Sequence, residues 1–494
     1  MVEVLNTVDR IDVDAVNAKH KRVDYKARVK IFPKRVTGTF RSLKWWIMAA
    51  TLGIYYVTPW LRWDRGAEAP DQAVLIDMAH ERFYFFFIEI WPQEFYYVAG
   101  LLIMAGIGLF LVTSTVGRAW CGYTCPQTVW VDLFLVVERW IEGDRNARIK
   151  LDKAAWSFDK IRKRVSKHLL WILIAIATGG AWIFYFADAP TLLQDLVRLE
   201  APSIAYSTVA FLTATTYVMA GFMREQVCTY MCPWPRIQAA MLDEQSLTVT
   251  YNDWRGEPRA RQKQRHDNPE IQHGDCIDCN LCVAVCPQGI DIRDGQQLEC
   301  ITCALCIDAC DSVMTKIGKP KGLISYATLK EYEGNMSGAR TLTTWRSFIR
   351  PRTLIYSAVW SLAGLAMVYM LLTRDRLDIT VLHDRNPVFV ALSDGGIRNG
   401  YTVKILNMEP RERTFQLAVD GIAGATLAVA GATDSPARTL NITAAADKQH
   451  TLKVYVTAYP AYLGGDATAF RLTLKDTGGP EAVHYDATFN APKK

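Results

Sequence analysis

Long apolar stretches, separated by charged and polar segments, dominate the first three quarters of the chain. A helix needs about 20 mostly apolar residues to cross a bilayer. The first 40 residues contain no such run, so no cleavable signal peptide is predicted and the first span should remain in the membrane. Five transmembrane helices are predicted, at Leu43–Leu61, Phe95–Val116, Leu169–Ala187, Ser203–Met223 and Thr353–Leu372.

The pattern changes after about residue 377, where short segments, several of them alternating apolar and polar residues, are separated by turn clusters. Asp394–Gly396 and Gly464–Asp466 are two of these clusters. Short strands at this spacing predict an antiparallel β-sandwich. The predicted strands are Pro387–Ser393, Tyr401–Asn407, Thr414–Val419, Thr426–Val429, Thr451–Tyr459 and Ala469–Leu474.

Loops rich in lysine and arginine alternate with loops that contain few of them, and this pattern predicts the orientation of the chain in the membrane. Residues 1–44 contain 11 of them, 62–94 contain 3, 117–168 contain 11 and 188–202 contain 1. The N-terminus and the cysteine-rich segments are therefore predicted on the cytoplasmic side and the C-terminus outside. The net charge of +6 is interpreted as this topology signal, and no nucleic-acid partner is expected.

Eight of the 12 cysteines form two consecutive C-x2-C-x2-C-x3-C arrays. This spacing is typical of [4Fe–4S] ligands, in which the fourth cysteine of each array binds the other cluster. Two zinc sites are the alternative, but zinc ribbons have no use for the third cysteine of each array. The predicted ligands are Cys276, Cys279, Cys282 and Cys310 for cluster one, and Cys300, Cys303, Cys306 and Cys286 for cluster two.

The other four cysteines form a repeated C-x-Y-x-C-P motif, Cys121–Pro126 after the second predicted span and Cys228–Pro233 after the fourth. Proline is favoured at the first position of a helix, so Cys125 and Cys232 are predicted at helix N-caps, where the helix dipole favours a thiolate. Soft thiolates prefer Cu(I), and Cys121, Cys125, Cys228 and Cys232 together are a candidate copper site. Buried structural cysteines and a further iron–sulfur cluster are the alternatives.

These motifs together resemble the cytochrome c oxidase accessory proteins called CcoG, FixG or RdxA. The resemblance rests on CGYTCPQTVW, on the segment from Cys228 to Arg259, on the eight-cysteine insert and on IRNGYTVKILN in the tail. It implies a membrane polyferredoxin-type cupric reductase that supplies Cu(I) for a cbb3-type oxidase in the bacterial inner membrane, with an immunoglobulin-like C-terminal domain.

The resemblance also implies partners: the lipid bilayer, a cytoplasmic electron donor, copper transport or chaperone proteins, the nascent oxidase and a possible second copy of the chain. A quinol-linked respiratory electron-transfer subunit and a non-enzymatic copper chaperone or scaffold remain alternatives. The expected domains are a cytoplasmic segment 1–42, a four-helix membrane region 43–252, a cytoplasmic 2[4Fe–4S] ferredoxin domain 253–350, a fifth membrane helix 351–375 and a periplasmic β-sandwich 376–494.

Overall fold

The computed structural model describes residues 8–17, 29–66, 69–261, 264–265, 270, 272–339, 343–409, 411–431 and 436–492. The chain folds as two compact units. The first consists of Met1–Leu61 and Gln72–Met367, and the second of Arg62–Asp71 and Val368–Lys494. The cysteine-rich segments and the membrane helices that precede them therefore belong to one unit.

The first unit is mainly helical. Its α-helices in chain order are α1 Thr39–Val57, α2 Tyr96–Val116, α3 Ala119–Tyr123, α4 Pro126–Glu142, α5 Arg145–Lys153, α6 Phe158–Ile183, α7 Ala189–Arg198, α8 Ser203–Thr216, α9 Trp234–Met241, α10 Asp253–Gly256, α11 Leu281–Val285, α12 Leu305–Lys316, α13 Leu329–Met336 and α14 Pro351–Thr373.

Among the described residues, four helical segments are long and apolar enough to cross a membrane. They correspond to the second to fifth predicted spans, although the third begins at Phe158, 11 residues before the predicted start. That helix extends out of its apolar stretch because Ser157 caps it, accepting a hydrogen bond from the backbone N–H of Lys160. The segments are Pro92–Val116, Phe158–Ile183, Ser203–Met223 and Pro351–Thr373.

The first predicted span, Leu43–Leu61, is helical but does not belong to these four. Helix α1 begins at Thr39, and its first two turns bury the basic residues Arg41 and Lys44 while large apolar side chains such as Trp46 are exposed. Arg41 lies 2.8 Å from a carboxylate oxygen of Asp132 on α4, and the Lys44 ammonium lies 3.7 Å from the same atom. This end of α1 is therefore fixed inside the protein by buried charge.

Two small sheets accompany the helices of the first unit. In the chain before α2, the strands pair antiparallel in the order β1-β2-β3. The second sheet pairs β4 with β5 and brackets the cysteine insert. The strands are β1 Val74–Asp77, β2 Arg82–Phe85, β3 Ile88–Ile90, β4 Thr248–Tyr251 and β5 Ile324–Ala327.

The second unit contains two antiparallel sheets with a common apolar core, as the alternation predicts. One sheet has the order β10-β12-β8-β6, with β7 paired to β8, and the other has the order β11-β9-β13-β14. Tyr401, Val403 and Ile405 are fully buried at alternate positions of β8. The strands are β6 Leu377–His383, β7 Val390–Ala391, β8 Ile397–Asn407, β9 Arg413–Asp420, β10 Thr426–Val429, β11 Thr439–Ala444, β12 Lys448–Ala458, β13 Ala467–Asp476 and β14 Ala482–Asn490.

Candidate redox centres

The two four-cysteine arrays of the insert have the same backbone geometry. Asp278 and Asn280 have φ values of 51° and 59°, and the equivalent Thr302 and Ala304 have 51° and 59°. Left-handed backbone is uncommon for residues other than glycine and is retained where the surrounding structure requires it. In each array it turns the C-x2-C-x2-C loop back on itself, and a helix, α11 or α12, begins at the next residue.

The cysteine thiols of the insert are grouped across the two arrays. Burial raises the pKa of Cys310, and its neighbours Cys279 and Cys276 raise it further. Burial also raises the pKa of Cys286 to about 12, with further contributions from Cys303 and Cys300. The fourth cysteine of each array therefore lies beside the first three of the other, which is the arrangement that crossed ligation requires.

One buried cavity is lined by all four predicted ligands of cluster two. Its wall includes Cys286, Cys300, Cys303 and Cys306, together with Cys282 of the other array, the polar Gln288 and apolar side chains. All 12 cysteines are free thiols, so none is consumed in a disulfide. The donor set and its apolar surroundings fit a [4Fe–4S] cluster, and the individual ligand assignments stay predictions.

Arg293 is a charged residue of this region that the sequence analysis did not identify. Its guanidinium donates to carboxylate oxygens of Asp278 at 2.9 Å and Asp291 at 2.7 Å, and to the amide oxygen of Asn280 at 2.8 Å. The side chain therefore joins the loop of cluster one to the segment that follows it. Its charge opposes the effect of burial on the pKa of Cys282.

The C-x-Y-x-C-P motifs adopt different helical structures. Cys121 lies in α3, and Cys125 is the N-cap of α4 with Pro126 at the first position, as predicted. Cys228 lies in a π-helix, Val227–Met231. The N-cap prediction for Cys232 is wrong by one residue, because Pro233 is the N-cap of α9 and a second proline occupies the first turn.

The four thiols of these motifs lie near one another. Burial raises the pKa of Cys121 to about 11, and Cys125 and Cys232 contribute to the increase. Burial likewise raises the pKa of Cys228 to about 12, with contributions from the other three cysteines. Within the described ranges, no group of three or more His, Cys, Asp or Glu side chains surrounds a single metal ion, and this holds for the insert as well as for these four thiols.

The first motif is in direct contact with the loop predicted to bind cluster two. The hydroxyl of Tyr123 donates to the carbonyl oxygen of Cys303 at 3.2 Å. A side chain on Gly122 would place its Cβ 2.6 Å from the carbonyl oxygen of Ile301, so only glycine permits this approach. Cys121 belongs to the same buried apolar cluster as Cys303 and Ile301. The two groups of cysteines are therefore adjacent, although about 180 residues separate them in the chain.

Arg118, three residues before Cys121, is a second buried charged residue of this region. It is 3% exposed, and its Nη1 donates to the carbonyl oxygen of Leu298. Its Nε and Nη2 atoms are buried and have no hydrogen-bond partner among the described residues. Its charge lowers the pKa of both Cys121 and Cys300 against the larger effect of burial. One buried cation thus acts on both groups of cysteines.

Three family models match this chain. A 4Fe-4S dicluster domain matches residues 223–329, a 4Fe-4S binding domain matches residues 98–143, and the IG-like fold at the C-terminal of FixG matches residues 367–492. The first contains the eight-cysteine insert, and the second contains Cys121 and Cys125. The third coincides with the two-sheet unit.

Complete proteins with high sequence identity are also found. The nitrogen fixation protein FixG of Rhizobium meliloti is 60% identical over 98% of this chain and 97% of its own length. The proteins RdxB and RdxA of Cereibacter sphaeroides are 56% and 54% identical over 94% and 92% of this chain, and over 97% and 96% of their own lengths. A solved FixG-related protein from Vibrio parahaemolyticus matches 24% of this chain and 96% of its own, with 20% identity and a TM-score of 0.20.

Proposed function

Because the chain belongs to the FixG/RdxA family of membrane iron–sulfur proteins, we propose that it reduces Cu(II) to Cu(I) at or near its four C-x-Y-x-C-P cysteines. The Cu(I) serves assembly of the copper centre of a cbb3-type cytochrome c oxidase. The contact between Gly122 and the Ile301–Cys303 loop carries this proposal, since it joins the copper-binding candidates to the predicted loop of cluster two.

The two [4Fe–4S] clusters, when bound, supply one-electron carriers. The residues of the chain hold them on eight buried or half-buried thiols, and apolar neighbours such as Ala304 and Ile301 exclude water from the loops. The reduction adds one electron to Cu(II) and itself transfers no proton, whereas Cys121 and Cys228, whose pKa values burial raises to about 11 and about 12, would release their protons to water when copper binds. Thiolates from Cys121, Cys125, Cys228 and Cys232 favour the product, because Cu(I) prefers soft sulfur ligands.

The electron donor in this proposal is a cytoplasmic reductant that acts on the ferredoxin region. Copper transport or chaperone proteins supply the Cu(II) and accept the Cu(I), and the C-terminal β-sandwich is the candidate docking domain for the nascent oxidase. The proposed setting is the bacterial inner membrane, with the ferredoxin region in the cytoplasm and the β-sandwich in the periplasm. The distribution of Lys and Arg supports it.

The test uses the purified, cluster-replete protein and a quadruple variant with Cys121, Cys125, Cys228 and Cys232 changed to Ala. We expect multiple turnovers of Cu(II) reduction by the wild type with an excess of reductant, and loss of that activity in the variant. The Tyr230→Phe variant is the matched control, since Tyr230 lies within the second motif, is 59% exposed and keeps every sulfur in place. Unchanged reduction by the quadruple variant would exclude these cysteines from the copper site.

Two other outcomes would replace the proposed activity. Rapid reduction of the clusters by a quinol without copper turnover would indicate a respiratory electron-transfer subunit. Stoichiometric copper binding without sustained reduction would indicate a chaperone.

A further [4Fe–4S] cluster is the second candidate occupant of the four cysteines, favoured by the 4Fe-4S binding domain that matches residues 98–143. Iron and acid-labile sulfide analysis separates the two occupants. A third cluster requires about 12 iron atoms per chain, falling to about 8 in the quadruple variant. A copper site leaves about 8 iron atoms in both proteins.

A further inference from the structure

A cavity of about 470 Å³ lies at the charged end of α6. Its wall contains residues of the N-terminal segment 30–32, of α4 and α6, and of the π-helix Tyr217–Met223. Helix α6 and the segment Ser203–Met223 both continue from this cavity into membrane-capable stretches. The cavity is therefore next to lipid, and its volume is within the range of small-molecule and headgroup sites.

The charges that line the cavity do not balance. Five basic residues face two carboxylates, Glu138 and Asp152. Including Arg148 and Glu142, which form ion pairs with members of this set, the network contains six cations and three carboxylates. It therefore has a surplus of three positive charges. The six cations are Lys30, Arg148, Lys160, Arg164, Lys167 and Arg224.

Lys160 is the cation without a carboxylate partner. The residue is 7% exposed, and its ammonium donates only to backbone carbonyl oxygens, at 3.0 Å to Asp152 and at 2.5 Å to Ala154. In the part of the chain that the structure describes, no salt bridge of Lys160 is present. The ammonium also lies 5.1 Å from the centre of the Trp156 ring. Neither the carbonyl oxygens nor the ring carries a full negative charge, so this ammonium and the surplus around it favour an external anion.

The rim of the cavity indicates which kind of anion binds. Trp156 is 76% exposed and Phe222 is 44% exposed, and both line the cavity. Aromatic side chains are enriched where a protein meets the boundary between lipid and water. A soluble phosphate has no apolar portion to place against these rings, whereas a phospholipid has acyl chains that continue along the apolar surfaces of α6 and α8.

We infer that this cavity binds the phosphate headgroup of an anionic phospholipid, with Lys160 and Lys30 contacting the phosphate and Trp156 and Phe222 contacting the adjoining acyl chains. Basic pockets between membrane helices bind anionic lipid headgroups in other proteins by the same charge complementarity. The site is separate from the proposed copper chemistry and does not depend on it.

The experiment uses the full-length, cluster-replete protein, delipidated in detergent and titrated with phosphatidylglycerol or phosphatidylcholine. Native mass spectrometry counts the bound lipids. We expect one phosphatidylglycerol to bind at least tenfold more tightly than phosphatidylcholine, and Lys160→Gln to weaken it about fivefold. Lys163→Gln is the matched control, because Lys163 is on the same helix, outside the cavity, and is paired with Asp159 at 2.8 Å.

Equal binding of the two lipids would overturn the inference, and so would equal weakening by the Lys160 and Lys163 variants. Inorganic phosphate is added at equal concentration in a separate arm. Displacement of phosphatidylglycerol would identify a soluble-anion site and overturn the lipid assignment, whereas retention supports it. If Lys160→Gln does not retain its iron, Lys30→Gln replaces it, since the Lys30 side chain is 64% exposed and its loss leaves the core intact.

Discussion

Replacing Gly122 with alanine tests the contact between the first C-x-Y-x-C-P motif and the predicted loop of cluster two. The new Cβ would lie 2.6 Å from the carbonyl oxygen of Ile301, and 3.0 Å and 3.1 Å from Cα and N of Cys303. Ordinary contacts begin near 3.4 Å, so the motif and the loop must separate by about 0.8 Å. Because all three atoms belong to the backbone, no side chain can rotate to relieve the overlap.

We expect Gly122→Ala to destabilise the protein by ~1–3 kcal/mol, the usual cost of overpacking a tight contact. Helix propensity alone predicts the opposite sign, since alanine is favoured over glycine within α3 by ~1 kcal/mol. The sign of the change therefore distinguishes the contact from a local helix effect. Gly106→Ala in α2 is the matched control, because its Cβ would meet nothing within 4 Å.

The assay has two readouts on the cluster-replete protein: the midpoint of thermal unfolding, and the rate at which Cu(II) reoxidises the reduced clusters. Gly122→Ala should lower both, and Gly106→Ala should lower neither. A Gly122→Ala protein as stable as the wild type and reoxidised at the same rate would refute the proposed contact between the two centres.

Three further changes test other parts of the first unit. Asp308→Ala should destabilise it by ~1–2 kcal/mol, because this carboxylate of α12 accepts hydrogen bonds from the backbone N–H groups of Phe40 and Arg41 at the start of α1. Chemical unfolding measures the loss, and Asp294→Ala, at an exposed position, should leave the stability unchanged. Arg118→Met should lower the reduction potential of cluster two by tens of millivolts, because the buried cation stabilises the more negative reduced state. Arg118→Lys should restore part of the potential. A redox titration of the insert that shows no shift in Arg118→Met would contradict this. Burial alone would raise the pKa of Glu138, but Arg224, Arg148 and Lys167 lower it to about 2. The stabilising contribution of the Glu138 carboxylate is thus fully present above pH 4.5 and is lost as the pH falls towards 2. Thermal stability should therefore fall between pH 4.5 and 2 in the wild type, and much less in Glu138→Gln.

The cysteine arrays and the β-sandwich could be predicted because both are encoded in local spacing. All six predicted strands overlap strands of the second unit, although Pro387–Ser393 contains only the two-residue β7. Strands β6, β11 and β14 were missed; Val483 and Tyr485 of β14 are half-buried, which leaves its apolar pattern weak. The left-handed residues of the cluster loops were also missed, since Thr302 and Ala304 give no local signal for positive φ.

The buried contacts of the first predicted span could not be predicted, because hydropathy does not register long-range ion pairing. Arg41 and Lys44 interrupt the apolar pattern only near the start of α1, and Asp132 interrupts that of α4, yet the three charges meet in the interior. In the sequence, Arg41, Lys44 and Asp132 each look like a charged residue near the end of an apolar segment. Their mutual neutralisation depends on a contact across about 90 residues, which periodicity and composition do not encode.

Electron transfer between the two groups of cysteines requires a fixed separation, and the contacts of the first unit supply one. Asp308 ties the helix that carries Cys306 and Cys310 to the start of α1, while Gly122 and Tyr123 hold the other motif against Cys303. One attachment is made to Ile301 and Cys303 inside the predicted cluster-two loop, and the other to Asp308 in the helix that follows it. The insert and the first motif should therefore move as one body. The ferredoxin region is in this respect part of the membrane unit, and variants that loosen either attachment should slow reoxidation by copper before they reduce the iron content.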